Sequence, residues 1–143
     1  MPRRITLLRH GHADEHPDDF ARTLSPAGRA AAVRAGEALA RAGWLPRYVL
    51  SSAAPRALAT AELAAQACGY SGVIVAERSL YLASDGQYRA ALQRVPELAA
   101  SVLLIGHNPG LTRLARDLCG YAAELAPADY ASIELELDAW SEL

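Results

Sequence analysis

The 143 residues are 52% hydrophobic, with 14 basic residues against 16 acidic ones and a net charge of -2. That length supports one hydrophobic core rather than two, and the near balance of charge excludes the broad positive field that nucleic-acid binding needs. All the basic residues are arginine. No apolar run approaches the roughly 18 residues of a membrane span, and MPRRITLLRHG lacks a signal-peptide cleavage pattern, so a cytoplasmic location is expected.

Ile5 to Arg9 is a short apolar run opening into His-Gly, the pattern of a buried strand that ends at His10. Ser25-Pro26 supplies a cap and a first-turn proline for an alanine-rich helix that stops at Gly43. Tyr48 to Ser51 reads as the second strand. After it, Pro55 opens a helix with Leu58, Ala61, Ala65 and Cys68 at helical spacing, stopped by Gly69. Val73 to Ala76 is the third strand, Tyr88 to Val95 a weaker helix, and Val102 to Ile105 the fourth strand, ending in Gly106-His107. Asn108 and Pro109 serve as cap and first turn for a helix presenting Leu111, Leu114, Ala115 and Leu118 on one face until Gly120. From Ser132 to Leu137 apolar and acidic residues alternate, as in an edge strand with one wet face. Glu134 and Glu136 on that face discourage pairing with a second copy, so a monomer is expected. Cys68 and Cys119 each close a helical stretch at an apolar position and read as buried free thiols.

Strands alternating with helices predict a single α/β domain over residues 1–143, a mostly parallel central sheet between two helical layers, with the edge strand near the C-terminus. Ligands of such sheets bind beyond the carboxyl ends of the strands. Three of those ends carry His10 with Arg9, Arg56 just after its strand, and His107. Arginine forks match phosphoryl oxygens, helix N-termini favour anions, and a neutral imidazole is a competent nucleophile near neutral pH.

LLRHGHA, RTLSPAGRA, SSAAPRALATAE and VLLIGHNPGLTRLA, in that order, resemble the histidine phosphatase superfamily, and in particular its short SixA-like phosphohistidine phosphatase branch. The resemblance covers essentially the whole chain. It implies a phosphoglycerate mutase-like fold, His10 as phosphoryl acceptor, Arg9, Arg56 and His107 as phosphate ligands, and Arg22 as a further one. It also implies no cofactor or metal. Two departures stand out: Ser52-Ala53 where the family commonly has Ser-Pro, with the proline moved to Pro55, and Ala59 where glutamine often precedes the threonine. Larger relatives take a glutamate proton donor from an insertion after the third strand. Here that region, RSLYLASDGQY, is short and offers only Asp85, itself part of an Asp-Gly turn signal.

A sugar alkoxide leaves poorly without a general acid, whereas an imidazole leaving from a phosphoramidate demands far less. The expected partner is therefore a phosphohistidine-bearing protein, hydrolysed by transfer to His10 and then attack of water. The alternatives are a phosphomonoesterase acting on phosphorylated small molecules and a non-catalytic phosphate-binding module. HGHADEH also nearly spells a zinc cluster from His10, His12, Asp14 and His16. Glu15 breaks its spacing and Arg56 and GHNP would be left without a role, so His12 and His16 are read as loop residues, with His12 near enough to touch substrate.

Overall fold

The computed structural model describes residues 2–143. Nine main elements follow one another as β1 (Pro2–Arg9), α1 (Pro26–Ala42), β2 (Tyr48–Ser52), α2 (Pro55–Ala67), β3 (Ile74–Glu77), α3 (Asp85–Gln93), β4 (Ser101–Gly106), α4 (Gly110–Cys119) and β5 (Tyr130–Glu136). The strands form one sheet in the order β3-β2-β4-β1-β5, parallel except for β5, which runs antiparallel along β1. This is the three-layer architecture expected from the alternating pattern. Alternate residues of each strand feed two cores: Ile5, Leu7, Leu50, Val102 and Leu104 pack with α3 and α4, while Leu8, Val49, Leu103 and Ile105 pack with α1 and α2. Near-continuous apolar strands are the consequence of burying both faces.

Helix α1 starts and stops where its caps require. Ser25 accepts from the Gly28 amide, Pro26 fills the first turn, and Gly43 closes the helix at φ 74°, a conformation open to glycine. Four expectations need correction. β1 begins three residues early, because Pro2 to Arg4 pair with β5 and the Arg3 guanidinium is held by Glu97 at 2.7 Å and by the Glu97 and Asp138 carbonyls, so charge masked a paired strand. α3 begins at Asp85 rather than Tyr88, since Ser84 and Gln87 form a reciprocal capping box; Asp85-Gly86 is the first turn of a helix, not a loop. α4 begins at Gly110, with Pro109 before it after a cis Asn108-Pro109 bond, although Asn108 Oδ1 still accepts from the Thr112 amide at 3.3 Å. Both cysteines are free, but Cys119 is exposed on the last turn of α4 while Cys68 is buried. Among the described residues no helix is long and apolar enough to cross a membrane.

Candidate active site

The register of the sheet assembles the site. Arg9 pairs with Gly106, and the ladder continues through the His10 amide to the Gly106 carbonyl at 3.1 Å, so the next residues, His10 and His107, sit with ring centroids 5.0 Å apart. On the other side of β4, Ser51 pairs with Ile105, which brings the following Ser52 to His107. Arg56, two residues into α2, donates from Nε to His10 Nε2 at 3.4 Å. His10, His107 and Arg56 line a cleft of about 400 Å³ together with Arg9, His12, Asp19, Arg22, Leu82, Asn108 and Pro127, with Ser52 buried behind His107. A second depression of comparable size, around Leu45, Arg47 and Tyr70, lies away from all of them.

The loop carrying His10 is fixed by contacts that need glycine. A Cβ on Gly28 would stand 2.1 Å from the His12 carbonyl, and one on Gly11 would stand 2.8 Å from the Gly28 carbonyl, so the loop and the start of α1 touch backbone to backbone. The Gly11 amide donates to Thr60 Oγ1, which itself donates to the Arg56 carbonyl, tying the loop to α2.

The tautomers follow from the hydrogen bonds. His10 Nδ1 lies 2.7 Å from its neighbour's carbonyl, Gly11 O, and must be the donor. Nε2 is then a lone pair, consistent with its accepting from Arg56. Burial, reinforced by Arg56 and Arg9 against the opposing Gly11 bond, lowers the His10 pKa from 6.5 to about 4, so the ring is neutral at physiological pH. Ser52 Oγ accepts from the Ala54 amide at 3.1 Å, and His107 Nε2 at 2.9 Å is the acceptor that the described contacts offer its proton, so the serine donates to the ring. That leaves the proton of His107 on Nδ1, a buried nitrogen with no partner in the protein. Burial, His10 and Arg56 hold His107 at a pKa of about 3. The His107 amide is held in turn by the buried Tyr88 hydroxyl at 2.8 Å, whose pKa burial pushes up to about 12.

The arginines differ in what they leave free. Arg9 gives Nη1 to the Leu125 carbonyl, while its Nε is buried without a partner; burial lowers its pKa against the pull of Glu124 and Asp129. Arg56, 2% exposed, spends Nη1 on the Asp19 carbonyl at 2.7 Å and Nη2 on Asp19 Oδ2 at 3.1 Å. Arg22 lines the cleft, but all three of its nitrogens are engaged, with the Asp14 and Ala13 carbonyls and with Asp19 Oδ1 at 3.4 Å. Arg9, Arg56 and His107 thus line the cleft with His10: Arg56 Nε faces the His10 Nε2 lone pair, and the buried Nε of Arg9 and Nδ1 of His107 have no partner in the protein. An electrophile bearing several anionic oxygens satisfies them together.

The sequence profile of the histidine phosphatase superfamily (branch 1) matches residues 5–80. The chain belongs to this superfamily. The histidine phosphatase chain is 27% identical, at a TM-score of 0.83, to a SixA protein of Agrobacterium tumefaciens assigned as a phosphohistidine phosphatase, over 92% of this chain and 91% of that one. It is 25% identical, at a TM-score of 0.79, to the protein histidine phosphatase SixA in complex with tungstate, over 94% and 88% of the two chains. An uncharacterised chloroplastic protein of Arabidopsis thaliana is 33% identical over 99% of this chain and 71% of its own length. The glucosyl-3-phosphoglycerate phosphatase structures of mycobacteria, 18% identical at a TM-score of 0.72, share the fold.

The SixA-like fold thus brings together His10, Arg9, Arg56, His107 and Arg22, all foreseen from sequence. His12 also lines the cleft, with Nδ1 2.8 Å from Ser25 Oγ, whereas His16 caps the Asp18 amide on the exposed loop. Among the described residues no three His, Cys, Asp or Glu side chains converge as metal ligands, so the HGHADEH stretch forms no zinc cluster there. Asp85 is half-buried on the first turn of α3 and does not line the cleft. Sequence reasoning missed Ser52, Asp19 and Tyr81, whose hydroxyl donates to Asp19 Oδ2. The buried serine of a strand end was a usable signal for the first; nothing separated Asp19 from the other acids of its loop.

Proposed function

We propose that this histidine phosphatase hydrolyses phosphohistidine on a protein through a phospho-His10 intermediate, without a metal ion. The observation that carries the reading is the protonation pattern of the cleft: a neutral His10 unprotonated at Nε2, and among the described lining residues no carboxylic acid able to protonate a leaving group. Among the described lining residues Asp19 is the only carboxylate, and hydrogen bonds first from Tyr81 and then from Arg56 and Arg22 hold its pKa down to about 2. It is an anion at working pH. An alkoxide leaving group would therefore depart unprotonated, whereas the imidazole of a phosphohistidine, taking a proton on its other nitrogen from solvent, departs neutral.

In the first step the His10 Nε2 lone pair forms a bond to phosphorus as the substrate's P–N bond breaks, with the freed electron pair going to the substrate nitrogen. The His10 Nδ1–H remains on Gly11 O, so the phosphorylated ring is cationic and a good leaving group. Water then attacks phosphorus in line, Nε2 recovers its lone pair, and phosphate departs with the water's proton passing to solvent. Arg9, Arg56 and His107 Nδ1–H bear the equatorial oxygens in both steps, and Arg22 contributes field.

The test is turnover by purified protein, stripped of metal by a chelator, of a phosphohistidine-bearing phosphotransfer protein and a panel of phosphomonoesters, with His10→Ala as control. Selective phosphohistidine hydrolysis that vanishes in the variant is expected. Efficient hydrolysis of sugar phosphates with none of the phosphoprotein would overturn the substrate, and activity lost with the metal would overturn the mechanism.

A further inference from the structure

The loop between β1 and α1 is pinned by an antiparallel bridge between Ala13 and Leu24, and it carries a single 3-10 turn, Asp19–Ala21, over the cleft. Asp19 is the first residue of that turn, and its side chain is half exposed. It nevertheless makes more polar contacts to the site than any other loop residue. Its carbonyl and Oδ2 take both Nη groups of Arg56, Oδ1 takes Arg22, and Oδ2 also accepts the Tyr81 hydroxyl in a very short hydrogen bond. Tyr81 comes from the connection between β3 and α3. Its ring meets Phe20 edge-on at 4.9 Å and His107 edge-on at 5.4 Å, and lies beneath the Arg56 guanidinium at 5.7 Å. Two chain segments remote in sequence, the start of α2 and the connection before α3, thus meet the loop on one carboxylate.

This arrangement fixes which edge of Arg56 is available. A guanidinium has five N–H donors in a rigid fork. Asp19 occupies the Nη end, and the Nε edge is left facing His10 Nε2 at 3.4 Å. A phosphoryl group on that nitrogen meets Arg56 through Nε. A guanidinium with nothing at its Nη end is free to turn that end into the cleft and chelate the phosphate bidentately, away from the line of attack. Arg56 is also a nearly fully buried cation, and among the described residues Asp19 is its only anionic partner.

We infer that Asp19, buttressed by the Tyr81 hydroxyl, is a positioning residue that sets the orientation of Arg56 for phosphoryl transfer. It acts neither as a proton donor nor as a gate that competes with substrate. The inference rests on the proposed phospho-His10 chemistry but concerns a different link, the registration of one ligand rather than the identity of the nucleophile. A depressed pKa agrees with a fixed anion and disagrees with an acid that gives up a proton at each turnover.

Asp19→Asn tests this. It keeps an oxygen for Arg56 and Tyr81 but removes the charge that pins them. Glu15→Gln, on the same loop and outside the cleft, controls for a change of one charge. With phosphoramidate as substrate and inorganic phosphate as inhibitor, kcat is expected to fall about 10²-fold, the scale of a roughly 1 Å misplacement. Inhibition by phosphate should become tighter, because a negative charge has left the rim. The shape of the kcat pH profile should not change, and Tyr81→Phe should shift both quantities in the same senses by less. Glu15→Gln should leave both unchanged.

Three results overturn the inference: kcat retained in Asp19→Asn; an increase in kcat and phosphate affinity together, the signature of a competing latch; or disappearance of a basic limb from the pH profile, the signature of a proton donor. Thermal melting of Asp19→Asn separates loss of fold from loss of register. Trapping of phospho-His10 in the wild type is read in the same experiment. If no phosphoenzyme forms there, the proposed function fails; if it forms and Asp19→Asn is unimpaired, only the inference does.

Discussion

Ser52 offers the sharpest test of how the site is wired, because one hydroxyl sets the proton of His107. Its oxygen accepts from the Ala54 amide at 3.1 Å and donates to His107 Nε2 at 2.9 Å, and the residue is fully buried. Ser52→Ala therefore strands two buried polar groups, each at a cost of about 1–3 kcal/mol. A net loss of about 2–4 kcal/mol corresponds to a Tm lower by about 5–12 °C for a domain of this size. The catalytic consequence is separate. Without the serine proton, nothing keeps His107 in the Nδ1–H form, and the ring can place its proton on Nε2 and turn a lone pair toward the phosphoryl oxygens. Loss of one such donor costs about 10²-fold or more in kcat. Long-range proton–nitrogen correlation spectra of the histidine rings read the tautomer directly, alongside melting and turnover. A variant that keeps the Nδ1–H tautomer and turns over within about twofold of wild type would refute the reasoning.

Three further outcomes are expected. His10 and His107 are held neutral in the fold at pKa values of about 4 and 3, below the 6.5 of the unfolded chain, so the unfolded state binds more protons between those values. Stability should be full above pH 6.5 and fall as pH drops through that window, while the acid limb of kcat/KM should lie near pH 4 rather than 6.5; a limb at 6.5 would contradict the buried-imidazole account. Gly28→Ala, which drives a methyl to 2.1 Å from the His12 carbonyl, should lower the Tm and cut turnover by displacing the His10 loop, whereas Gly43→Ala, with open space around its Cβ, should cost only the strain of a positive φ. Asp85→Asn should leave turnover of both phosphoramidate and phosphomonoesters unchanged, since the side chain lies outside the cleft; a selective loss on phosphomonoesters would reinstate it as an acid.

The order of the elements, the mostly parallel sheet and the residues at three strand ends were legible in the amino-acid sequence. Each of these depends on local signals: apolar runs, the Ser25-Pro26 cap, Gly43 and Gly120 as stops, and the RHG and GHNP motifs. Where local charge contradicted long-range pairing, as at Arg3 and Arg4, the strand was hidden because its partner lies more than a hundred residues away. Protonation and orientation, by contrast, depend on contacts between distant segments. The His10 tautomer depends on one carbonyl, that of His107 on a serine at the end of the neighbouring strand β2, and the presented edge of Arg56 on a carboxylate from another loop. Hydrogen bonds act over about 3 Å and depend on angle, so a motif can nominate an imidazole or a guanidinium, but the register of β1, β4 and β2 sets which of its nitrogens meets the ligand.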